Sequence, residues 1–313
     1  MSKIKNTVNK KINTQKIKKI NPSKPKVGIL GLGIMGSAMA KNLISAQFDV
    51  YGFDPAPKAQ KNFKAAGGLL CQSSKEVATH VDLMICSLPN SAALMAAAHE
   101  ISSSGKKGLI IAETSTLDLT DKEKARDILA QFKITLLDCP LSGTGAQAKT
   151  KDVSIYSSGP AASVKKMAHV FEGFSKANYY LGTFGNGMKM KLMANLLVAI
   201  HNVSTAEALL FGKHSGIDPK LAVKVLADGA GGSRMLQVRG PLMTNQGWKE
   251  PTMKVSVWQK DMKLIHDALA LSKTPAPLFA ATQSIYNAAM ASGHAEHDTA
   301  AVYEVLKRMS SPA

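Results

Sequence analysis

The stretch VGILGLGIMG occupies residues 27–36 and decides the predicted fold. It carries the pattern G-x-G-x-x-G at Gly31, Gly33 and Gly36, directly after a short apolar strand and at the start of a helix. In that context the first glycine makes a tight turn, the second lets the backbone approach a pyrophosphate, and the third lets helix and strand pack closely. The free N–H groups of the helix start attract phosphate oxygens. The stretch therefore predicts a dinucleotide-binding turn made of Gly31, Leu32, Gly33, Ile34, Met35 and Gly36.

Short apolar segments alternate with helical segments over the first half of the chain. The predicted strands are 26–30, 48–53, 81–88, 108–112 and 134–138, and the helices between them include 57–66, 91–100 and 119–132. Strands that are apolar throughout and alternate with helices indicate a parallel sheet covered on both faces. Two later segments, 153–158 and 178–181, are expected to extend the same sheet.

After Gly187 the strand pattern nearly disappears. The predicted helices are 188–216, 218–228, 252–272, 275–292 and 298–309. The sequence therefore predicts a doubly wound α/β domain over residues 26–186, followed by an all-α domain over residues 187–313. The long apolar helix at 188–216 needs a covering surface, which favours a homodimer or homotetramer. Its apolar run is interrupted at Asn195, so we expect no membrane-spanning segment.

The formal net charge of +17 is concentrated at the N-terminus. Residues 1–26 carry nine of the 39 Lys and Arg residues and no acidic residue. The segment lacks an uninterrupted apolar core and a small-residue cleavage site, so we do not expect a secretory signal. We expect residues 1–25 to be a disordered basic tail that makes at most weak contacts with polyanions. Nucleic-acid binding beyond those contacts is not expected.

The three cysteines, Cys71, Cys86 and Cys139, lie far apart and form no C-x-x-C pair. This spacing favours neither a disulfide framework nor a structural zinc site, and a reducing, cytoplasmic location is expected. His294 and His297 are close in sequence, but Gly293 interrupts the helix beside them and no third ligand is evident. The sequence therefore predicts no metal site.

Candidate cofactor residues follow the ends of the next strands. Asp54 ends the second strand, 18 residues after Gly36. A carboxylate there can accept hydrogen bonds from both hydroxyls of an adenosine ribose and repels a 2′-phosphate, which favours NAD over NADP. A turn aspartate before Pro55 is the structural alternative. Leu88 and Pro89 follow the strand at 81–88, and Thr116 follows the strand at 108–112, at the edge where open α/β sheets bind ligands.

Four segments in order resemble the β-hydroxyacid dehydrogenase family over residues 27–309. They are VGILGLGIMG at 27–36, DCPLSGT at 138–144, GNGMKMKLMAN at 185–195 and QKDM at 259–262. The resemblance implies a Rossmann-type domain followed by a helical domain. It also implies hydride transfer between a nicotinamide cofactor and a short 3-hydroxy acid or its semialdehyde, without a metal.

The resemblance also implies roles for individual residues. Lys191 is the implied catalytic residue, and Asn195 binds substrate one helical turn away on the same face. The implied substrate loop is Ser142, Gly143 and Thr144. Lys260 is expected to contact the cofactor with Asp261 orienting it, and Thr116 to approach the nicotinamide ribose. The chain departs from the family pattern at Thr144, Lys151 and Ala194.

Several functions remain open at this point. Asp54 favours a 3-hydroxyisobutyrate dehydrogenase-like enzyme that uses NAD, whereas Ala194 is typical of reductases acting on glyoxylate, succinic semialdehyde or tartronate semialdehyde. A 6-phosphogluconate dehydrogenase is disfavoured because the helical region is too short, and an imine reductase because those enzymes lack the lysine. The non-enzyme alternative is a dinucleotide-binding module with a polyanion-binding tail, and Lys191 disfavours it.

Overall fold

The first part of the protein is a six-stranded parallel sheet. The computed structural model describes residues 25–310, so the predicted basic tail lies almost entirely outside the described residues. The strands are β1 (Lys26–Leu30), β2 (Asp49–Phe53), β3 (Leu69–Leu70), β4 (Leu83–Cys86), β5 (Ile110–Glu113) and β6 (Thr135–Asp138). Their order is β3-β2-β1-β4-β5-β6. The order reverses between β1 and β4, and the carboxyl ends of these two strands form the crevice where such sheets bind ligands.

Helices cover both faces of this sheet. They are α1 (Ile34–Ser45), α2 (Pro57–Ala65), α3 (Ser74–His80), α4 (Ser91–Ser102), α5 (Leu119–Ala130) and, further along the chain, α7 (Ala161–Phe174). Met39 and Leu43 of α1 pack with Phe171 of α7 on one face. Leu94 of α4 and Leu129 of α5 pack on the other. Because both faces are buried, the interior positions of the strands are largely apolar, as the sequence predicted.

A separate three-stranded sheet follows the main sheet. Strand β7 (Leu141–Ser142) pairs antiparallel with β8 (Ser154–Ser157), which pairs parallel with β9 (Ala177–Tyr180). The short helix α6 (Gly145–Lys149) connects β7 to β8. The prediction that 153–158 and 178–181 extend the main sheet is therefore wrong. Pro140 has no N–H with which to continue the ladder of β6, and the chain leaves the main sheet there.

The last part of the described chain is helical. Its α-helices are α8 (Asn186–His214), α9 (Pro219–Asp228), α10 (Arg234–Thr244), α11 (Val255–Ser272), α12 (Pro277–Ala289) and α13 (Val302–Met309). By length and composition alone, α8 could cross a membrane. Here it packs against the five other helices of this part. The predicted fold class, an α/β sheet followed by helices, is confirmed, whereas the exact division into domains stays a prediction.

A stability difference is expected at Lys151, which lies two residues after the end of α6 and has a left-handed backbone with φ of +60°. A side chain in that conformation costs about 1–2 kcal/mol, which glycine avoids while losing about 0.5–1 kcal/mol of chain entropy. We expect Lys151→Gly to raise the free energy of unfolding by about 0.5–1 kcal/mol. Urea denaturation measures the change.

Lys149→Gly is the matched control, because Lys149 is the last residue of α6 and has helical backbone. It should lower the free energy of unfolding by about 0.5–1 kcal/mol, the usual cost of glycine in a helix. Equal effects of the two substitutions would contradict the assignment of strain to Lys151.

Candidate active site

The glycine-rich turn joins β1 to α1 at the switch point of the sheet. Gly31 has φ of +83°, and a Cβ on it would collide with the Ser87 carbonyl. A Cβ on Gly36 would collide with the carbonyl of Gly31, so this glycine lets α1 pack on the turn. Around Gly33 the space where a Cβ would stand holds no protein atom within 4 Å. The three glycines therefore fit a pyrophosphate that approaches the backbone at Gly33 and the start of α1.

Asp54 lies beside this turn, at the end of β2. Its carboxylate accepts hydrogen bonds from the N–H of Leu32 at 2.7 Å and of Ala56 at 2.8 Å. Both bonds hold the carboxylate next to the predicted phosphate position. Asp54 therefore lies against the glycine-rich turn, and its contact with a cofactor stays a prediction.

A cavity of about 810 Å³ opens between α1 and α2 beside the same turn. Leu32, Gly33 and Ser37 line one side, and Lys41 and Lys58 are also at its wall. The sequence analysis did not consider these two lysines, because they are 17 residues apart in a lysine-rich chain. Ammonium groups attract phosphate, so they favour NADP where the Asp54 carboxylate favours NAD.

The loops after β4 and β5 meet at the same edge of the sheet. The Leu88 N–H, just before Pro89, donates to Ser115 Oγ at 2.7 Å. Lys260 of α11 reaches across from the helical part, and its Nζ donates to the Thr116 carbonyl at 2.6 Å. The structure therefore brings Thr116 and Lys260 together, although 144 residues separate them.

The predicted substrate loop begins at the last residue of β7 and leads into α6. Gly143 has φ of +139°, a conformation that side chains rarely adopt. Thr144 caps α6, where its hydroxyl accepts from the Gln147 N–H at 3.4 Å and its own N–H donates to Gln147 Oε1 at 3.0 Å. Helix capping therefore explains a threonine at position 144, where many family members have glycine.

Lys191 and Asn195 lie one turn apart on α8, as predicted. Asn195 is buried and its Nδ2 donates to Asp261 Oδ2 at 2.9 Å. The Lys260 Nζ lies 3.5 Å from the other Asp261 oxygen, so Asp261 contacts both Asn195 and Lys260. The contact with Asn195 was not predicted, because 66 residues separate the two side chains.

The surroundings of Lys191 lower the pKa of its amine below that of a free lysine. Removal from water lowers the pKa of Lys191, the negative charge of Asp261 opposes that shift, and the positive charge of Lys260 adds to it. Burial raises the pKa of Asp261, and the two neighbouring ammonium groups oppose that shift. A lysine whose pKa is lowered this way exchanges protons more readily near neutral pH than a free lysine does.

A buried ion cluster lies behind this site. Lys122 of α5 has its Nζ 2.7 Å from both Glu113 Oε2 and Asp138 Oδ1. All three side chains are fully buried. The two carboxylates outweigh burial and raise the pKa of Lys122, so the ammonium stays charged. The sequence analysis missed this cluster, since its members are spread over three elements.

The ion cluster determines where α8 begins. Asp138 Oδ2 accepts the Met188 N–H at 2.7 Å, and Ser158 Oγ accepts the Gly187 N–H at 3.0 Å. A carboxylate at a helix N-terminus satisfies free N–H groups and favours the helix dipole. Lys191 follows one turn later, so the cluster fixes the first turn of the helix that carries it.

The two candidate metal ligands in the helical part bind each other. His294 Nδ1 and His297 Nδ1 are 2.8 Å apart, after Gly293 with φ of +82°. Burial, with the nearby His297 and Arg308, lowers the pKa of His294. A hydrogen bond between the two rings explains this contact without a metal ion.

Comparisons with known proteins cover both parts of the described chain. The protein family described as "NAD binding domain of 6-phosphogluconate dehydrogenase" matches residues 26–208. The family described as "NAD-binding of NADP-dependent 3-hydroxyisobutyrate dehydrogenase" matches residues 185–306. L-threonate dehydrogenase of Cupriavidus necator is 29% identical over 91% of this chain and 97% of its own. The chloroplastic glyoxylate/succinic semialdehyde reductase 2 of Arabidopsis thaliana is 32% identical over 91% of this chain and 80% of its own.

A solved structure adds to these matches. The 3-hydroxyisobutyrate dehydrogenase of Mycobacterium tuberculosis, described with L-serine, has a TM-score of 0.83 and 25% identity, over 91% of this chain and 99% of that one. The glycine turn at the strand-order switch and these matches define an NAD(P)-dependent oxidoreductase of hydroxy acids. The chain belongs to the β-hydroxyacid dehydrogenase family.

Removal of the buried ammonium should destabilise the protein strongly. Lys122→Met leaves Glu113 and Asp138 buried together without a cation. Breaking a buried ion pair in this way costs about 3–5 kcal/mol. We expect a loss of that size in the free energy of unfolding, measured by urea denaturation.

Two further variants test the electrostatic origin of that loss. The double variant Lys122→Met/Glu113→Gln removes one unpaired charge and should recover part of the stability. Lys124→Met, on the exposed side of the same helix, should change stability by less than about 0.5 kcal/mol. A double variant no more stable than Lys122→Met would show that packing, not charge, explains the loss.

Proposed function

We propose that this protein interconverts a short 3-hydroxy acid and its semialdehyde with NAD, and that Lys191 is the general acid and base. The observation that carries the proposal is the placement of Lys191, with its lowered pKa, one helical turn from the Asn195–Asp261 pair. A bound nicotinamide accepts or supplies the hydride. The residues of the chain supply the proton, the binding of the carboxylate and the orientation of the reacting oxygen.

In the reductive direction Lys191 acts as an acid. Negative charge builds on the carbonyl oxygen as the hydride arrives, and a nearby ammonium stabilises that charge before donating its proton. In the oxidative direction the same amine must be neutral to accept the hydroxyl proton. A free lysine with a pKa near 10.4 is neutral in only about 1 in 2,500 molecules at pH 7. The lowered pKa of Lys191 reduces that penalty, and oxidation is still expected to be faster at alkaline pH.

The substrate carboxylate is assigned to the loop Ser142–Gly143–Thr144. Thr144 already bonds Gln147 through its N–H and hydroxyl. The Ser142 hydroxyl and the backbone around the left-handed Gly143 are therefore the groups of this loop that suit a carboxylate, which accepts several hydrogen bonds. Asn195, held by Asp261, is assigned to the substrate hydroxyl or carbonyl beside Lys191. The names of two similar proteins, an L-threonate dehydrogenase and a glyoxylate/succinic semialdehyde reductase, support a short acid as substrate.

The second candidate is an NADPH-dependent semialdehyde reductase. Lys41 and Lys58 at the cavity beside the glycine turn favour it, because they could pair with a 2′-phosphate. Asp54 favours the NAD-dependent reading, since its carboxylate is fixed directly beside the turn. The choice between NADPH and NADH therefore depends on whether these two lysines or the Asp54 carboxylate has the larger effect on the 2′ position of the cofactor.

Assembly and location are also proposed. Met193 and Leu197 of α8 and Phe211 near its end are exposed, so a second copy of the chain would cover an apolar surface. We therefore propose a homodimer or homotetramer. The three cysteines are buried and unpaired, which supports a reducing, cytoplasmic location.

An assay with a small panel tests the proposed reaction. NADH and NADPH oxidation are followed with glyoxylate and with succinic, tartronate and methylmalonate semialdehydes. We expect turnover with NADH, and a fall of about 10²–10⁴-fold in kcat for Lys191→Ala because the proton donor is lost.

Lys189→Ala is the matched control, because Lys189 is exposed and lies two residues earlier on the same helix. Its kcat should stay within a factor of two to three of the wild type. A preference for NADPH would favour the reductase candidate, and equal losses in the two variants would contradict the assignment of Lys191.

The pH dependence of oxidation tests how Asp261 and Lys260 act on Lys191. Asp261 raises the pKa of Lys191, so Asp261→Asn should lower that pKa and move the rise of kcat to lower pH. Lys260 lowers the pKa, so Lys260→Met should move the rise to higher pH at saturating cofactor. Shifts in the same direction, or none, would show that another group controls the profile.

A further inference from the structure

Three side chains capable of binding a metal converge at the outer edge of the main sheet. Cys71 directly follows β3, and Glu76 and His80 lie four residues apart on α3. Their ligand atoms, the thiol sulfur, a carboxylate oxygen and a ring nitrogen, all lie within 4.8 Å of one another. This is the one such group of three or more His, Cys, Asp and Glu residues within residues 25–310.

Each of the three side chains is held by the surrounding fold. The N–H of Gln72 donates to Glu76 Oε2 at 2.6 Å, which leaves the other oxygen 4.0 Å from His80 Nε2. The His80 ring stacks on Tyr51 of β2, with ring centroids 4.7 Å apart and planes 14° apart. Cys71 is buried, and its N–H donates to the Gly52 carbonyl at 2.9 Å. The ligand atoms are therefore brought together by contacts that do not depend on a metal.

The donor set selects a class of metal. Thiolate and imidazole ligands suit zinc and similar borderline divalent ions, whereas magnesium and calcium prefer oxygen alone. Zinc bonds of about 2.0–2.3 Å place tetrahedral ligand atoms roughly 3.5 Å apart, so the three groups need to close by only about an ångström. Glu76 and His80 are each 42–43% exposed, which leaves a fourth position open to water.

We propose that Cys71, Glu76 and His80 bind one zinc ion at the edge of the sheet. The site differs from the candidate active site, because its residues lie just after β3 and on α3 and include none of the residues around Lys191. The ion would join the end of the short strand β3 to α3, beside the strand that ends at Asp54. The spacing of cysteines in the sequence gave no indication of it, since only one cysteine takes part.

The test uses the full-length, reduced protein after treatment with a chelator. Cobalt(II) is added as the spectroscopic probe, and zinc is then added to displace it. We expect one equivalent of cobalt to produce a thiolate-to-cobalt absorption band, and one equivalent of zinc to abolish the band and raise Tm. Cys71→Ala should eliminate the band, and His80→Gln should weaken cobalt binding by at least about 100-fold.

Matched controls separate a binding site from a general effect on folding. Cys86→Ala and His99→Gln alter residues of the same types outside the cluster, and both should keep the band. Glu76→Gln and His80→Gln change partly exposed side chains, so their cobalt affinity can be measured even where Cys71→Ala does not fold. Absence of the band in the wild type, its persistence in Cys71→Ala, or equal weakening in His80→Gln and His99→Gln would overturn the proposal.

Discussion

A buried ammonium between two carboxylates connects the sheet to the helical part of this protein. Lys122 lies between Glu113 at the end of β5 and Asp138 at the end of β6, and all three are out of contact with water. The other carboxylate oxygen of Asp138, Oδ2, accepts the Met188 N–H at the start of α8. Two buried carboxylates need a cation to remain ionised together. The position of α8, and with it that of Lys191, therefore depends on this cluster.

Much of the fold could be predicted, because apolar periodicity and glycine positions follow local rules. The turn at Gly31, Gly33 and Gly36 correctly predicted the strand, turn and helix with which the main sheet begins. The neighbours of the strands at 154–157 and 177–180 could not be predicted. The pattern of apolar residues within a strand indicates that it is a strand, but not which other strand it pairs with. Helix α10 was missed because Pro241 lies inside it and a glycine-rich segment precedes it.

Some contacts of the candidate site could likewise be predicted from the sequence, and others could not. The pairing of Lys191 with Asn195 follows from helical spacing, and the place of Asp54 follows from the strand–turn–helix order. The contacts of Asp261 with Asn195 and of Lys260 with Thr116 join segments 66 and 144 residues apart. Charged residues usually indicate an exposed surface, so Lys122 on α5 gave no sign in the sequence that it is buried.

The most direct test follows the hydride itself in a single turnover. NADH that carries deuterium at both C4 positions of the dihydronicotinamide ring is mixed with excess enzyme and the semialdehyde that the panel selects, and the product is analysed by mass spectrometry. The account predicts one deuterium on the new carbinol carbon. It also predicts that Lys191→Met binds NADH normally but transfers deuterium at least about 100-fold more slowly. Product without deuterium, or equal transfer rates in the two proteins, would contradict it.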